Sequence, residues 1–146
     1  MVVEVENLGI IKADKDILNR IVSAFYNQYQ RFEKRDSTIL AEEAHQRAHA
    51  LHMAIEAGDQ GQDIPEIDEP IKMNIKYLGT IEADERTFEN IALGFNSEFY
   101  KYQEEGKALQ TNESCHIYHA IRRGLYIHAN WRRAQEKYCK EMMNLL

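Results

Sequence analysis

Proline and cysteine are scarce in this chain, with two of each in 146 residues, and glycine is sparse at seven. So few chain breakers exclude collagen-like, low-complexity and extensively disordered chains. Two cysteines cannot build the disulfide framework of a small secreted domain. At this length none is needed, because ~100–150 residues bury a sufficient core unaided. Cys115 and Cys139 fall in one expected helix, ~36 Å apart at ~1.5 Å per residue, beyond the reach of a bridge. Free thiols suit a reducing compartment. No apolar run approaches the ~20 residues of a membrane span, and Met1 to Lys15 carries no basic-then-apolar signal. These absences predict a cytoplasmic chain that makes no use of a membrane. Also missing are Gly-x-x-x-x-Gly-Lys, Gly-x-Gly-x-x-Gly, His-Glu-x-x-His and Gly-x-Ser-x-Gly, the short signatures of phosphate loops, dinucleotide folds, zinc proteases and serine hydrolases.

What is present is a soluble composition with an acidic balance: 18 Lys+Arg against 24 Asp+Glu, a net charge of -6. That argues against a nucleic-acid binder, whose affinity rests on clustered positive charge. The charge is uneven. Thr111 to Leu146 holds Arg122, Arg123, Arg132, Arg133, Lys137 and Lys140 against Glu113, Glu136 and Glu141, a local +3 that leaves the remainder at -9. Glu56 to Glu69 holds six acids and no base. This predicts either that the acidic segment lies beside the basic helix or that one of them meets a partner.

The strongest pattern is self-similarity at a spacing of 70 residues. Asn7-Leu8-Gly9-Ile10-Ile11-Lys12-Ala13-Asp14 aligns with Tyr77-Leu78-Gly79-Thr80-Ile81-Glu82-Ala83-Asp84. Without a gap Ile21 meets Ile91, Phe25 meets Phe95, and His49 meets His119. The pattern predicts one domain over 1–146, with a first repeat at 1–57, a linker at 58–70 containing both prolines, and a second repeat at 71–146. Each repeat opens on an alternating strand, Val3 and Val5 or Ile71, Met73 and Ile75, followed by a Leu-Gly bend. Asp14 and Asp84 sit as helix N-caps. Leu18, Ile21, Phe25, Tyr29 and Phe32 form an amphipathic stripe, repeated by Phe88, Ile91, Phe95, Phe99 and Tyr102,. Second helices are expected at about Thr38 to Ala57 and Asn112 to the C-terminus. Their apolar faces would be Leu40, Ala44, Leu51 and Ile55, and Ile117, Ile121, Leu125, His128, Cys139 and Met142. The fold class that follows is mainly α (α+β). Two strand-helix-helix units would form a pseudo-twofold four-helix bundle, capped by a two-stranded β ribbon.

Three constellations suggest function. Tyr118, Arg122, Arg123, Tyr126, Trp131, Arg132 and Arg133 interleave cations and rings on the last helix, a surface able to stack, clasp an anion or hold a partner. His45 and His49 share a helix face with His52, and Cys115 and His119 occupy the equivalent register. One thiolate and three imidazoles would make a zinc-type site if the repeats met. Glu42/His45 and Glu113/His116 are Glu-x-x-His pairs, but with Glu89 and Glu98 on the third helix matched only by Asn19 and Gln28 on the first, the di-iron set is incomplete. The reading is a non-enzymatic acidic binding or regulatory protein, expected as a homo-oligomer. It would engage a protein partner or a small anionic ligand through the second helices of both repeats. The alternatives are a zinc-binding protein or metal-dependent enzyme, and a single-stranded nucleic-acid binder.

Overall fold

The computed structural model describes residues 1–145. The chain runs β1 (Val2–Val5), β2 (Gly9–Lys12), α1 (Lys15–Lys34), α2 (Thr38–Ala57), β3 (Ile71–Ile75), β4 (Gly79–Ala83), α3 (Glu85–Glu104) and α4 (Ala108–Asn144). It is mainly helical, with a small four-stranded antiparallel sheet in the order β1-β2-β4-β3.

The expected two-stranded ribbon is therefore corrected to two hairpins. The Leu-Gly step reverses the chain instead of bending one strand. Leu8 N donates to Val5 O at 3.1 Å, and Leu78 N to Ile75 O at 3.0 Å. Asn7 and Tyr77 take φ of 63° and 71°, and Gly9 and Gly79 take 137° and 126°, the last two in a region that glycine alone enters cheaply,. Each outer strand pairs with its own return strand, Val3 opposite Ile11 and Met73 opposite Ile81. The hairpins join at the centre, where Lys12 lies opposite Glu82.

One face of the sheet is covered. Val3, Val5, Ile11, Ile71, Met73, Ile75 and Ile81 are buried, while Glu4, Lys72 and Asn74 between them are exposed. The helices lie against that face. α2 packs on α1 and β1, α1 packs on α3, and α4 packs on α3 and β3. This is a layer of helices on a sheet. Among the described residues no extensive packing joins α2 to α4, so the expected bundle is not closed. The reason is the sheet: each hairpin widens its half, and the two second helices end at opposite rims.

The first three members of each stripe form the core as expected, while Tyr29, Phe32, Phe99 and Tyr102 nearer the helix ends are only half-buried. Phe25, Phe88, Phe95, Leu18, Ile21 and Ile91 are fully buried, and each such side chain contributes roughly 1.5–3 kcal/mol of transfer free energy. α1 and α3 meet where Ala24 faces Gly94. A methyl group on Gly94 would stand 3.2 Å from the Phe25 ring.

Three sequence expectations for the second helices need correction. α4 starts at Ala108, four residues before Asn112, because Gly106 at φ 72° ends α3 and Ala-Leu-Gln are good helix formers,. Leu40 is exposed, since α2 turns the small residues Ala41, Ala44, Ala48 and Ala54 inward beside Leu51 and Ile55. On α4, Ser114, Ile117, Ile121 and Leu125 are buried, but Cys139 and Met142 are exposed. After Arg132 every described residue is exposed, because α3, its neighbour, is only 20 residues long against 37 for α4. This terminal stretch projects ~20 Å past the body.

The acidic linker does not lie along α4. It straps β1: Asp59 Oδ1 accepts from Val2 N and Gly61 N, both at 3.0 Å, and Gln60 N donates to Val2 O. No helix among the described residues is long and apolar enough to cross a membrane.

Candidate functional site

Inside the helix layer lies a polar node that the sequence pattern does not announce. Glu98 on α3 is fully buried. Arg20 donates to it twice, Nη1 at 3.0 Å and Nη2 at 2.5 Å. Asn27 Nδ2 donates at 2.7 Å and Ser114 Oγ at 2.7 Å. One carboxylate thus ties α1, α3 and α4 together with its lone pairs occupied. Burial works against the Arg20 charge, but the hydrogen bond and charge of Glu98 outweigh it and raise the guanidinium above its ordinary value. One signal could have found it: Glu98 falls between Phe95 and Tyr102 within the apolar stripe. Its commitment to Arg20 removes it from any di-iron set.

Seventy residues earlier stands Gln28, only 5% exposed. Asn90 occupies the place corresponding to Arg20. The shorter side chain leaves a pocket of about 270 Å³, lined by Gln28, Arg31, Arg47, Asn90, Asn96 and Ser97 among others. Gln28 Oε1 and Arg31 Nε are both buried there without a hydrogen-bond partner. A larger cleft, about 560 Å³, gathers Glu43, Arg47, Asp84 and Arg86 where α2 nears the hairpin. Asp84 is already occupied as the N-cap of α3, accepting from Thr87 N at 2.8 Å. Asp14, expected to do the same for α1, makes no such bond.

The histidines are dispersed. His45 and His49 lie exposed on α2, their rings 6.5 Å apart and nearly parallel, with His45 against Tyr29 at 4.9 Å. Cys115 is half-buried on α4 and His119 is exposed beside Tyr118. With α2 and α4 at opposite rims the four are not brought together. Among the described residues no group of three or more His, Cys, Asp or Glu side chains is placed to hold a metal. Glu42 and His116 face solvent. His128, expected in the core, is half-buried with its ring 6.3 Å from Trp131.

The cation-aromatic set on α4 divides by helical angle. At ~100° per residue, Arg122, Tyr126, Arg133, Lys137 and Lys140 fall within ~60° of one another, roughly 140° round from the buried line of Ile117 and Ile121. All five are exposed. Arg123 lies at the edge of this stripe and Tyr118 turns toward the core, where it is half-buried. Arg132 belongs to the body, paired with Glu85 at 3.5 Å. No other α4 cation forms an ion pair within the described residues. Trp131 falls on a third side, with Ile127 and Tyr138. No protein-family model, curated protein or solved structure matches the chain.

Proposed function

We propose that the chain is a non-enzymatic binding protein that engages an acidic protein surface through the basic stripe of α4. We also infer that it is built from two copies of one strand-strand-helix-helix unit related by a near-twofold axis. The copy relation is supported by residues that meet their own counterparts 70 positions on: Lys12 opposite Glu82, and Ala24 against Gly94. It is supported again by Gly79 lying under Ile17 as Gly9 lies under Thr87. Against that repetition the one large departure is α4, with 37 residues where α2 has 20. The added length carries most of the basic stripe.

The observation that carries the reading is five exposed side chains on one line, four of them cations without an acidic neighbour in contact. In a chain of net charge -6, such a stripe is a local field that steers an anionic surface into one orientation. Arginine adds bidentate pairing with carboxylates, and Tyr126 offers a face on which a guanidinium or apolar stem can rest. A polyglutamate peptide labelled with a fluorophore tests it by anisotropy. Binding that weakens with salt and drops at least tenfold in Arg122→Ala/Arg133→Ala/Lys137→Ala supports the reading. No binding at low salt, or preference for a single-stranded oligonucleotide, overturns it.

A second reading rests on the pocket beside Gln28. A small molecule with an O–H or N–H for Gln28 Oε1 and an anionic oxygen for Arg31 Nε would satisfy both unpaired atoms. Thermal shift against inorganic phosphate and hydroxy-acids tests it. A rise in Tm that Gln28→Leu removes supports it, and no shift discards it.

A further inference from the structure

We infer that the outer part of α4, from Ile127 onward, pairs antiparallel with the same segment of a second copy of this chain. It rests on a surface separate from the basic stripe. Ile127, Trp131, Ala134, Tyr138, Met142 and Leu145 recur at spacings of four, three, four, four and three, which keeps them on one side of a straight helix. That side lies about 100° round from the buried line of Ile117, Ile121 and Leu125. Among the charged residues of the segment, Glu141 borders it and the others lie further round. Ile127 and Trp131 are each 60% exposed, Tyr138 59%, Met142 45% and Leu145 82%. Scattered single apolar residues on a surface are ordinary, but a continuous uncharged stripe on a helix that leaves the body marks an interface.

The spacing identifies the occupant. Four of the six, Ile127, Trp131, Tyr138 and Met142, are symmetric about the midpoint of Ala134 and Gln135. Reversing the helix places Trp131 level with Tyr138 and Ile127 level with Met142, twice over. A twofold interface requires this: residue i meets j, and j meets i. The small Ala134 falls at the crossing, where two helices ~8–10 Å apart need little bulk. With aromatic side chains carrying roughly 150–250 Å² each, the exposed stripe amounts to about 400–500 Å² per chain; two stripes together reach ~1,000 Å², the lower end of a specific interface. In this register each tip beyond Arg132 runs alongside residues 124–136 of the other copy, on the side where Ile127 and Trp131 are exposed.

The pairing also bears on binding. A twofold axis between antiparallel helices keeps each flank on its own side. Both basic stripes therefore emerge on one face of the pair, doubling the cationic surface and making the protein bivalent toward an acidic partner. Loss of polyglutamate binding with the dimer intact, or the reverse, separates the two proposals.

Sedimentation of the full chain tests the inference. At roughly 10 µM, the micromolar range typical of modest interfaces, the wild type sediments as a dimer. Trp131→Asp/Tyr138→Asp is a monomer with unchanged helical circular dichroism, since neither side chain belongs to the core. In a Cys115→Ser/Cys139→Ser background, Ala134→Cys crosslinks between copies on mild oxidation. Leu145→Cys does not, because antiparallel arms hold those positions ~30 Å apart. A monomeric wild type at that concentration, or a dimer unaffected by the aspartates, overturns the pairing. Equal crosslinking at both cysteines overturns the antiparallel register. A foreign protein that displaces the dimer by binding the same stripe overturns the second copy as its occupant.

Discussion

Arg20 on α1 clasps the fully buried Glu98 on α3 through both terminal nitrogens. The pair spans 78 positions of sequence and brings Asn27 and Ser114 to the same carboxylate. Removing one partner of such a pair costs about 3–5 kcal/mol, because it strands the other in low dielectric. Arg20 keeps 27% of its side chain in solvent, which places Arg20→Met at the lower end. Arg20→Met/Glu98→Met should cost less than either single change. Urea unfolding of the three variants measures the cycle, and additive losses would show that the pair is not coupled.

Gly79 carries two constraints. Its φ is 126°, and a Cβ there would run into Ile17 Cδ1. Gly79→Ala should therefore lower stability by roughly 1–3 kcal/mol. Trimming the obstacle, Gly79→Ala/Ile17→Ala, should leave most of the deficit in place. It relieves the clash but not the backbone, and it removes core contacts of its own. Thermal unfolding distinguishes this from full recovery.

Asp59 supplies a pH dependence. The backbone N–H groups of Val2 and Gly61 that point at its carboxylate hold its pKa below the ordinary value. A depressed folded-state pKa means that the ionised carboxylate stabilises the strap above the unfolded pKa. That contribution is lost as pH falls through the depressed folded value, on the acid side of the ordinary carboxylate range. Amide exchange at Gly61 should accelerate over that acid range and should already be fast at neutral pH in Asp59→Ala. Exchange insensitive to pH beyond its intrinsic chemistry would remove Asp59 from this role.

The aromatic stripes on Phe25 and Phe95 are legible in the sequence, because rings recurring every 3.6 residues mark a helix that buries one face. The linker is legible from its prolines. The return strands are not. Gly9 to Lys12 and Gly79 to Ala83 are short, and the first has its alternation broken at Ile10-Ile11, so only the leading strand of each hairpin shows a clear period. The positions of α2 and α4 depend on those hairpins, and the histidine-cysteine set fails with them. Glu98 shows locally only as an acid within the apolar stripe; its partner Arg20 lies on another helix, a relation no short-range pattern encodes. Charge and ring content single out the α4 residues, but only helical angle separates Trp131 from Arg133, or Arg132 from both.

Deleting residues 134–146 should leave the body folded. Among the described residues no side chain beyond Leu125 is buried, and Arg132 keeps its contact with Glu85. The expected loss is under about 1 kcal/mol, the usual scale for surface changes. A guanidinium titration in which the shortened chain unfolds far earlier would mean that the arm supports the core.

Chelation should leave the melting temperature unchanged. His45 and His49 sit on one rim, Cys115 and His119 on the other, so no ordinary zinc geometry is assembled among the described residues,. Differential scanning fluorimetry with EDTA and with added zinc reads this directly. A shift abolished by His45→Ala would restore the metal reading.

The strand order β1-β2-β4-β3 leaves two open rims, and each is guarded differently. Residues 59 and 60 occupy groups of β1 that would otherwise be free to recruit another polypeptide. β3 relies on the alternating lysines Lys72 and Lys76, within it and just past its end, to repel sticky neighbours. A cut within the strap would therefore unmask one margin while sparing the other, so the protein's tendency to clump in storage should be set by the integrity of the segment between its halves.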